Sequence, residues 1–335
     1  MKARLLGPQP VSEIGFGCMN LSHAYGTPPD ETSARAVLHA ALDLGINHFD
    51  TAALYGFGRN ESLVGATLRP FRRRIVLASK CGLTGVDGKR VIDGRPETLK
   101  ATCLQALERL RTDVIDLYYL HRWDKRIPIE ESVGALADMV RAGWICGIGL
   151  SEVSAATLRR AYCVHPIAAV QTEYSLWTRN PEVALLDACR ELGVSLVAFA
   201  PLGRGFLTGT LSQPSALCEG DIRRGMPRFQ APHFARNRAL IEQFGALARE
   251  TGCTPAQLAL AWLLNKAPHV IPITGTTSVA HLTENVGATR VQLSAATLAR
   301  LEQLINSQTV SGERYPQHTQ AEIDTEELLA QVTRA

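Results

Sequence analysis

Short apolar runs alternate with amphipathic segments along the whole chain. Eight of these runs have the length of a β-strand, and they cover residues 14–19, 46–50, 75–80, 115–121, 145–151, 168–173, 195–201 and 270–274. They are nearly continuous hydrophobic runs and do not alternate between apolar and polar positions. Such runs are typical of parallel strands that are covered on both faces. The pattern therefore predicts eight buried parallel strands.

Helix-like segments lie between these runs. Residues 30–44 begin with Asp30, a favourable N-cap residue, and are followed by Gly45. Residues 96–110 begin with Pro96, which suits the first turn of a helix. Apolar positions also recur at helical spacing in four comparable segments, at 130–142, 154–162, 181–192 and 237–250. Strands and helices are thus predicted to alternate.

The spacing of the strands indicates how these units assemble. The interval before the eighth strand is the longest, and it contains a Gly/Pro-rich stretch at 202–232 followed by two helical segments. A doubly wound sheet also uses βα repeats, but eight units without a break in composition favour a closed barrel. We predict one domain over residues 1–335, a (β/α)8 TIM barrel with a long loop after strand seven. The polar tail after Asn306 is expected to fold over the barrel as a loop or helix.

Composition narrows the class of protein further. Of 335 residues, 46% are apolar and 20% are charged, which suits a large buried core. The net charge of +3 is small, and the short basic run Arg72–Arg74 fits a solvated loop better than a nucleic-acid patch. The eight cysteines form no C-x-x-C pair and no zinc-like cluster with histidine, so we expect reduced thiols and no metal site. With no signal-peptide core and no membrane-length apolar run, we expect a cytoplasmic protein without a membrane partner.

Ionisable side chains close three successive predicted strands. Asp50 ends the second strand, Tyr55 lies in the loop that follows, Lys80 ends the third strand and His121 ends the fourth. In a barrel of this type, reactive groups lie at the C-terminal ends of the strands and in the loops after them. Because folding alone gives little reason for this placement, we predict that the four residues form one catalytic site.

These four groups suit one particular chemistry. A phenol with a pKa near ~10 is a poor acid at neutral pH, and a nearby ammonium such as that of Lys80 lowers the pKa. Asp50 would supply the counter-charge of a buried lysine. His121 would hydrogen-bond a carbonyl oxygen and direct it towards Tyr55. The set fits proton delivery to an oxygen that becomes negative as a hydride reaches its carbon, and the hydride has to come from a cofactor.

At these residues the chain resembles the aldo-keto reductase family. Residues 45–52, Tyr55 and residues 60–65 resemble the first signature of that family, and Lys80 and His121 complete its Asp/Tyr/Lys/His tetrad. The resemblance extends from residue 14 to residue 288, through segments 149–152, 171–175, 200–207, 275–277 and 281–285. Segments 201–206 and 226–229 look most like the plant and microbial branch with perakine reductase and pyridoxal-reductase-like enzymes.

The resemblance implies reversible, NADPH-dependent reduction of a small aldehyde or ketone. It also implies a cofactor site that is not a Rossmann fold, and the chain has no G-x-G-x-x-G after a predicted strand. The residues implied to bind the cofactor are, with Asp50, Gly17, Cys18 and Met19 near the nicotinamide and its ribose, Ser151 and Gln171 at the carboxamide, Phe199 as a stacking ring, Leu202, Arg204, Gly205 and Phe206 along the pyrophosphate, and Gly275, Thr277, His281, Glu284 and Asn285 around the adenosine.

Two positions depart from the pattern of the family. Many relatives carry lysine or arginine at the position of Thr277, where the charge would pair with the 2′-phosphate, and Ala200 replaces a frequent serine near the pyrophosphate. NADPH remains the expected cofactor, with Arg204 or His281 as compensating partners, and NADH is the alternative.

Two other functions were weighed against catalysis of carbonyl reduction. One is a cofactor-binding regulatory or redox-sensing subunit with little turnover, because the resemblance includes channel-associated β subunits. The other is a metal-dependent barrel hydrolase, which would need histidine and carboxylate clusters that the sequence lacks. The sequence predicts neither the particular substrate nor the oligomeric state. Five aromatic residues are candidates for an apolar substrate pocket, namely Tyr25, Trp123, Trp177, Phe229 and Phe234.

Overall fold

The computed structural model describes residues 1–86 and 88–328. Its strands are β1 (Ala3–Leu6), β2 (Gln9–Ser12), β3 (Gly15–Gly17), β4 (His48–Asp50), β5 (Val76–Cys81), β6 (Leu83–Val86), β7 (Lys89–Ile92), β8 (Leu117–Leu120), β9 (Ile148–Ser151), β10 (Ala169–Glu173), β11 (Ser195–Phe199) and β12 (Val270–Thr274). Eight of them, β3–β5 and β8–β12, form a closed barrel in which all neighbours are parallel. These eight correspond to the predicted strands, and the predicted (β/α)8 barrel is confirmed.

Helices surround the barrel. They are α1 (Glu31–Asp43), α2 (Arg59–Leu68), α3 (Pro96–Leu110), α4 (Ile129–Arg141), α5 (Ala155–Val164), α6 (Leu185–Leu192), α7 (His233–Glu250), α8 (Pro255–Lys266), α9 (Val279–Gly287), α10 (Ala295–Leu304) and α11 (Gln317–Gln320). The Asp30 carboxylate caps α1 by accepting a hydrogen bond from the backbone N–H of Ser33 at 2.7 Å. The predicted segment 181–192 divides into a 3-10 turn at Asn180–Glu182 and helix α6.

A hairpin that the apolar pattern did not predict closes the N-terminal end of the barrel. Strands β1 and β2 pair antiparallel around a turn in which Gly7 has a φ of 57°. Leu6 and Val11 of this hairpin are buried against side chains of the barrel interior, including Val76 and Ile271. The hairpin was missed because each of its strands has only four residues. With this end covered, the opposite end of the barrel is left to hold a ligand.

The C-terminal ends of the strands are covered by two long segments. Residues 200–232, after β11, are built of short 3-10 turns. The segment after α10 crosses this end of the barrel, where the backbone N–H of Asp324 donates to the carbonyl of Glu152 at 2.9 Å. Lys125 Nζ also donates to the carbonyl of Ile323 at 2.8 Å. Among the described helices, none combines the length and the apolar character needed to cross a membrane.

Candidate active site

The barrel brings the four predicted catalytic residues together at the C-terminal ends of β4, β5 and β8. Lys80 Nζ forms an ion pair with the Asp50 carboxylate and donates to the carbonyl of Thr51 at 2.8 Å. The same Nζ lies 5.1 Å from the centre of the Tyr55 ring. The rings of Tyr55 and His121 meet edge to face, with centroids 5.8 Å apart. Lys80 and Asp50 are fully buried beneath Tyr55 and His121, which face a cavity.

The loop that carries Tyr55 is fixed by a buried asparagine. Thr51 Oγ1 donates to Asn60 Oδ1 at 2.6 Å. Asn60 Nδ2 in turn donates to the carbonyl of Cys18 and to Ser22 Oγ, both at 2.9 Å. Asn60 thereby joins the loop after β3 to the loop after β4. This gives Asn60, which belongs to the family signature at residues 60–65, a role in positioning the Tyr55 loop. A fixed loop leaves the Tyr55 hydroxyl little freedom to move away from Lys80.

The protonation state of the site is set mainly by burial. Burial raises the pKa of the Tyr55 phenol and outweighs the opposing effect of the Lys80 ammonium. Burial by itself would lower the pKa of Lys80, but the Asp50 carboxylate and Tyr55 hold it above its usual value. Burial and the charge of Arg122 lower the pKa of His121 well below its usual value. At neutral pH the site therefore holds a protonated phenol, an ammonium and a neutral imidazole.

This result corrects one expectation from the sequence. The sequence predicts a lowered pKa for Tyr55, because it shows the nearby Lys80 charge but not the burial of the phenol. In the structure the loss of hydration on burial is the larger effect, and the phenol keeps its proton. A phenol that is protonated at neutral pH is suited to act as an acid.

A cavity of about 910 Å³ extends from these residues to the start of α9, which is a size suited to a cofactor and a small substrate. Tyr55 and His121 form part of its wall. Most residues predicted to bind a cofactor also line it, namely Gly17, Met19, Asp50, Ser151, Gln171, Phe199, Leu202, Arg204, Gly205, Gly275, Thr277, His281, Glu284 and Asn285.

Two of the predicted cofactor residues are not part of the cavity wall. Cys18 is fully buried, and its Sγ lies 3.9 Å from the carbonyl oxygen of Phe16. The ring of Phe206 packs in the core against Trp177, with ring centroids 4.8 Å apart, and against Phe229. Of the five aromatic candidates for a substrate pocket, Tyr25 lines the cavity, whereas Trp123, Trp177, Phe229 and Phe234 do not. Apolar packing explains these positions better than ligand recognition.

Arg204 lies on the cavity wall, but protein groups already satisfy its guanidinium. Its Nη2 forms an ion pair with Glu173 at 2.7 Å and donates to the hydroxyl of Tyr315 at 2.8 Å. A second buried pair, between Arg314 and Glu152 at 2.7 Å, continues this network and holds the C-terminal segment onto the barrel. The expectation that Arg204 compensates for a neutral Thr277 is thus not supported, because its charge is neutralised by Glu173.

The sequence analysis singled out only part of the cavity wall, and His23, Arg223 and Arg122 are among the wall residues that it did not name. His23 stacks on Tyr55 with ring centroids 6.2 Å apart, and Arg223 forms an ion pair with Asp221 at 2.6 Å. Arg122 directly follows His121 and is more than nine-tenths buried. The position of Arg122 directly after His121 is a sequence signal that could have placed it at the site. His23 and Arg223 give no such signal, because they lie in segments without a recognisable motif.

Comparison with known proteins identifies the family of the chain. The sequence profile of the Aldo/keto reductase family matches residues 13–306. The chain is 43% identical over 320 residues to the aldo-keto reductase yakc of Schizosaccharomyces pombe, whose name carries NADP(+), covering 93% of this chain and 94% of that protein. It is also 43% identical over 308 residues to a probable aldo-keto reductase 1 of Glycine max, covering 91% and 88% of the two chains.

Solved structures give the same answer. A glycerol dehydrogenase from Gluconobacter oxydans superposes with a TM-score of 0.84 at 29% identity, over 94% of this chain and 97% of the other. An aldo/keto reductase from Klebsiella pneumoniae, in complex with NADP and acetate, superposes with a TM-score of 0.70 at 27% identity, over 94% and 99%. These findings define the class of protein as an oxidoreductase built on a (β/α)8 barrel. The chain belongs to the aldo/keto reductase family and is an oxidoreductase that acts on carbonyl or alcohol groups.

Proposed function

We propose that the protein catalyses the reversible, NADPH-dependent reduction of a small aldehyde or ketone, with Tyr55 as the proton donor. The observation that supports this most strongly is the meeting of Tyr55, Lys80, Asp50 and His121 at one end of a cofactor-sized cavity. A direct test is turnover of 4-nitrobenzaldehyde with NADPH, followed by the loss of the cofactor's absorbance. Cofactor binding without measurable turnover of any aldehyde would instead favour a regulatory subunit.

The residues of the cavity fit a nicotinamide cofactor, which supplies the hydride when it is bound. A Cβ at Gly275 would lie 2.8 Å from Asn20 Oδ1 and 3.1 Å from the carbonyl oxygen of Gly17, so a larger residue would displace these neighbouring parts of the wall. Thr274 Oγ1, also on the wall, is buried and has no hydrogen-bond partner within residues 1–86 and 88–328. Such a group is available to a polar ligand.

Two further residues are placed to orient the carboxamide of that cofactor. Gln171 Nε2 donates to Asp50 Oδ2 at 2.8 Å, which leaves Gln171 Oε1 free to accept a hydrogen bond. Ser151 Oγ lies on the same wall and accepts from Arg122 at 3.4 Å. Together they would fix which face of the nicotinamide meets the substrate.

The chain's own groups account for the proton. The neutral imidazole of His121 donates a hydrogen bond to the substrate oxygen and places it next to the Tyr55 hydroxyl. As negative charge develops on that oxygen, the phenol gives up its proton, and the Lys80 ammonium stabilises the phenolate that remains. Asp50 keeps Lys80 charged and in place. In the reverse direction the phenolate accepts the proton of the alcohol.

The preference for NADPH over NADH can be tested at Thr277. This exposed residue precedes α9, whose N-terminus favours an anion, and it lines the far end of the cavity. If Thr277 faces the 2′-phosphate, Thr277→Arg should tighten NADPH binding by about 1–3 kcal/mol through charge-assisted hydrogen bonds. NADH affinity should not change, and the gain should shrink at high salt.

Fluorescence titration with each cofactor measures both affinities. Thr283→Arg is the matched control, because Thr283 is exposed on the same helix but is not part of the cavity wall. Equal effects on the two cofactors, or none, would show that Thr277 does not face the 2′-phosphate. His281, exposed on the first turn of α9, would then be the next candidate.

A further inference from the structure

The guanidinium of Arg122 lies beside the reacting groups and is only partly satisfied. Its Nη1 donates to the carbonyl of His121 at 2.6 Å and to Ser151 Oγ at 3.4 Å. Its Nε is buried and has no hydrogen-bond partner in the described part of the chain. Arg122 is 8% exposed and lines the cavity together with Tyr55 and His121. A buried donor without a partner is costly, which points to a ligand as its missing partner.

The charge of Arg122 is also unbalanced. Two other deeply buried arginines near the cavity have carboxylate partners, Glu173 for Arg204 and Glu152 for Arg314. Arg122 forms no ion pair with any carboxylate among residues 1–86 and 88–328. Two carboxylates near Arg122 already have cationic partners. Asp50, on the same cavity wall, pairs with Lys80, and Asp124, two residues further along the chain, pairs with Arg126 at 2.8 Å. An unpaired buried cation favours an anion as its ligand.

We propose that Arg122 determines substrate specificity by binding a carboxylate on the substrate. The preferred substrates are then aldehydes or ketones that carry a carboxylate group. This inference rests on the proposed function, because it concerns the same end of the cavity as Tyr55 and His121. The guanidinium offers a planar pair of donors that matches a carboxylate. The one positive charge of Arg122 balances a monoanion better than a dianionic phosphate, and the nearby Arg90 is already paired with Glu322.

A purely structural role for Arg122 leads to a different result. If Arg122 served only to hold Ser151 and the backbone after His121, its loss would slow the reduction of every aldehyde by a similar factor. If it binds the substrate carboxylate, its loss would slow the reduction of anionic aldehydes much more than that of neutral ones. Pairs of substrates that differ mainly in one anionic group therefore separate the two roles.

The experiment compares kcat/KM for matched pairs with the NADPH-loaded enzyme. The pairs are succinic semialdehyde with butanal, 4-carboxybenzaldehyde with 4-formylbenzamide, and glyceraldehyde phosphate with glyceraldehyde. The wild-type enzyme should favour the carboxylate in at least one of the first two pairs. Arg122→Gln should lower kcat/KM for that carboxylate by about 10- to 100-fold more than for its neutral partner. Arg122→Lys should keep part of the preference, because it keeps the charge but loses the planar donors.

Two controls make each outcome decisive. Arg126→Gln removes an exposed arginine from the same loop and should change neither member of a pair. The wild-type comparison needs no variant, so it remains valid if Arg122→Gln does not fold. No carboxylate preference in the wild type, an equal loss for both members of a pair, or a preference confined to the phosphate pair would overturn the proposal. In each of these cases the wild-type enzyme still reduces neutral aldehydes, whereas failure of the proposed function would mean that it reduces no aldehyde at all.

Discussion

Replacement of Tyr55 by phenylalanine is expected to remove nearly all carbonyl reduction while cofactor binding stays intact. The ring and its contact with His121 remain, but the proton that the substrate oxygen must receive is lost. General acid catalysis typically contributes about 10²- to 10⁴-fold to a rate, so kcat should fall by that factor. Steady-state kinetics with 4-nitrobenzaldehyde measure the loss, and fluorescence titration with NADPH shows whether the cofactor still binds.

Tyr162→Phe is the matched control, because Tyr162 is a half-buried residue of α5 and is not part of the cavity wall. It should retain wild-type kinetics. A Tyr55→Phe variant that binds NADPH and keeps most of its kcat would exclude Tyr55 as the proton donor. Water or His121 would then have to supply the proton.

Replacement of Lys80 by methionine should weaken both the fold and the reaction. The variant leaves the Asp50 carboxylate buried without its ion pair, and breaking such a pair typically costs about 3–5 kcal/mol of folding free energy. Burial already raises the pKa of Tyr55, and the ammonium of Lys80 is what opposes this rise. Without it the pKa moves further up. Alcohol oxidation, which needs the phenolate, should therefore lose the most activity at neutral pH, and its basic limb should move to higher pH.

Denaturant unfolding measures the stability, and pH–rate profiles in both directions measure the coupling to Tyr55. The double variant Asp50→Asn with Lys80→Met removes both charges, so it should recover part of the stability without recovering the activity. Lys100→Met provides a surface comparison, because the pair of Lys100 with Asp138 is partly exposed and should contribute little to stability. An unchanged pH–rate profile in a folded Lys80→Met variant would count against the coupling between Lys80 and Tyr55.

The sequence determined the barrel because its strands are buried on both faces. Most barrel strands lie in short, largely apolar runs that end in polar residues, and this signal does not depend on where the rest of the chain lies. The catalytic candidates Asp50, Lys80 and His121 could be predicted for the same reason. A titratable residue at the end of an apolar run can be recognised from the sequence alone. The hairpin β1–β2 and the hairpin β6–β7 were missed, because pairs of four-residue strands give too little pattern to detect.

Only the tertiary structure decided which charges are free to act. Arg204 and Arg122 look alike in the sequence, but Glu173 neutralises the first and no described carboxylate neutralises the second. The direction of the Tyr55 pKa shift likewise required its burial, which opposes the effect of Lys80. Electrostatic energies depend on distance and on exclusion of water, and both are set by residues far apart in the chain. The sequence could therefore predict which groups meet at the site. It could not predict their protonation states, or which of the charged groups are left without a partner of opposite charge.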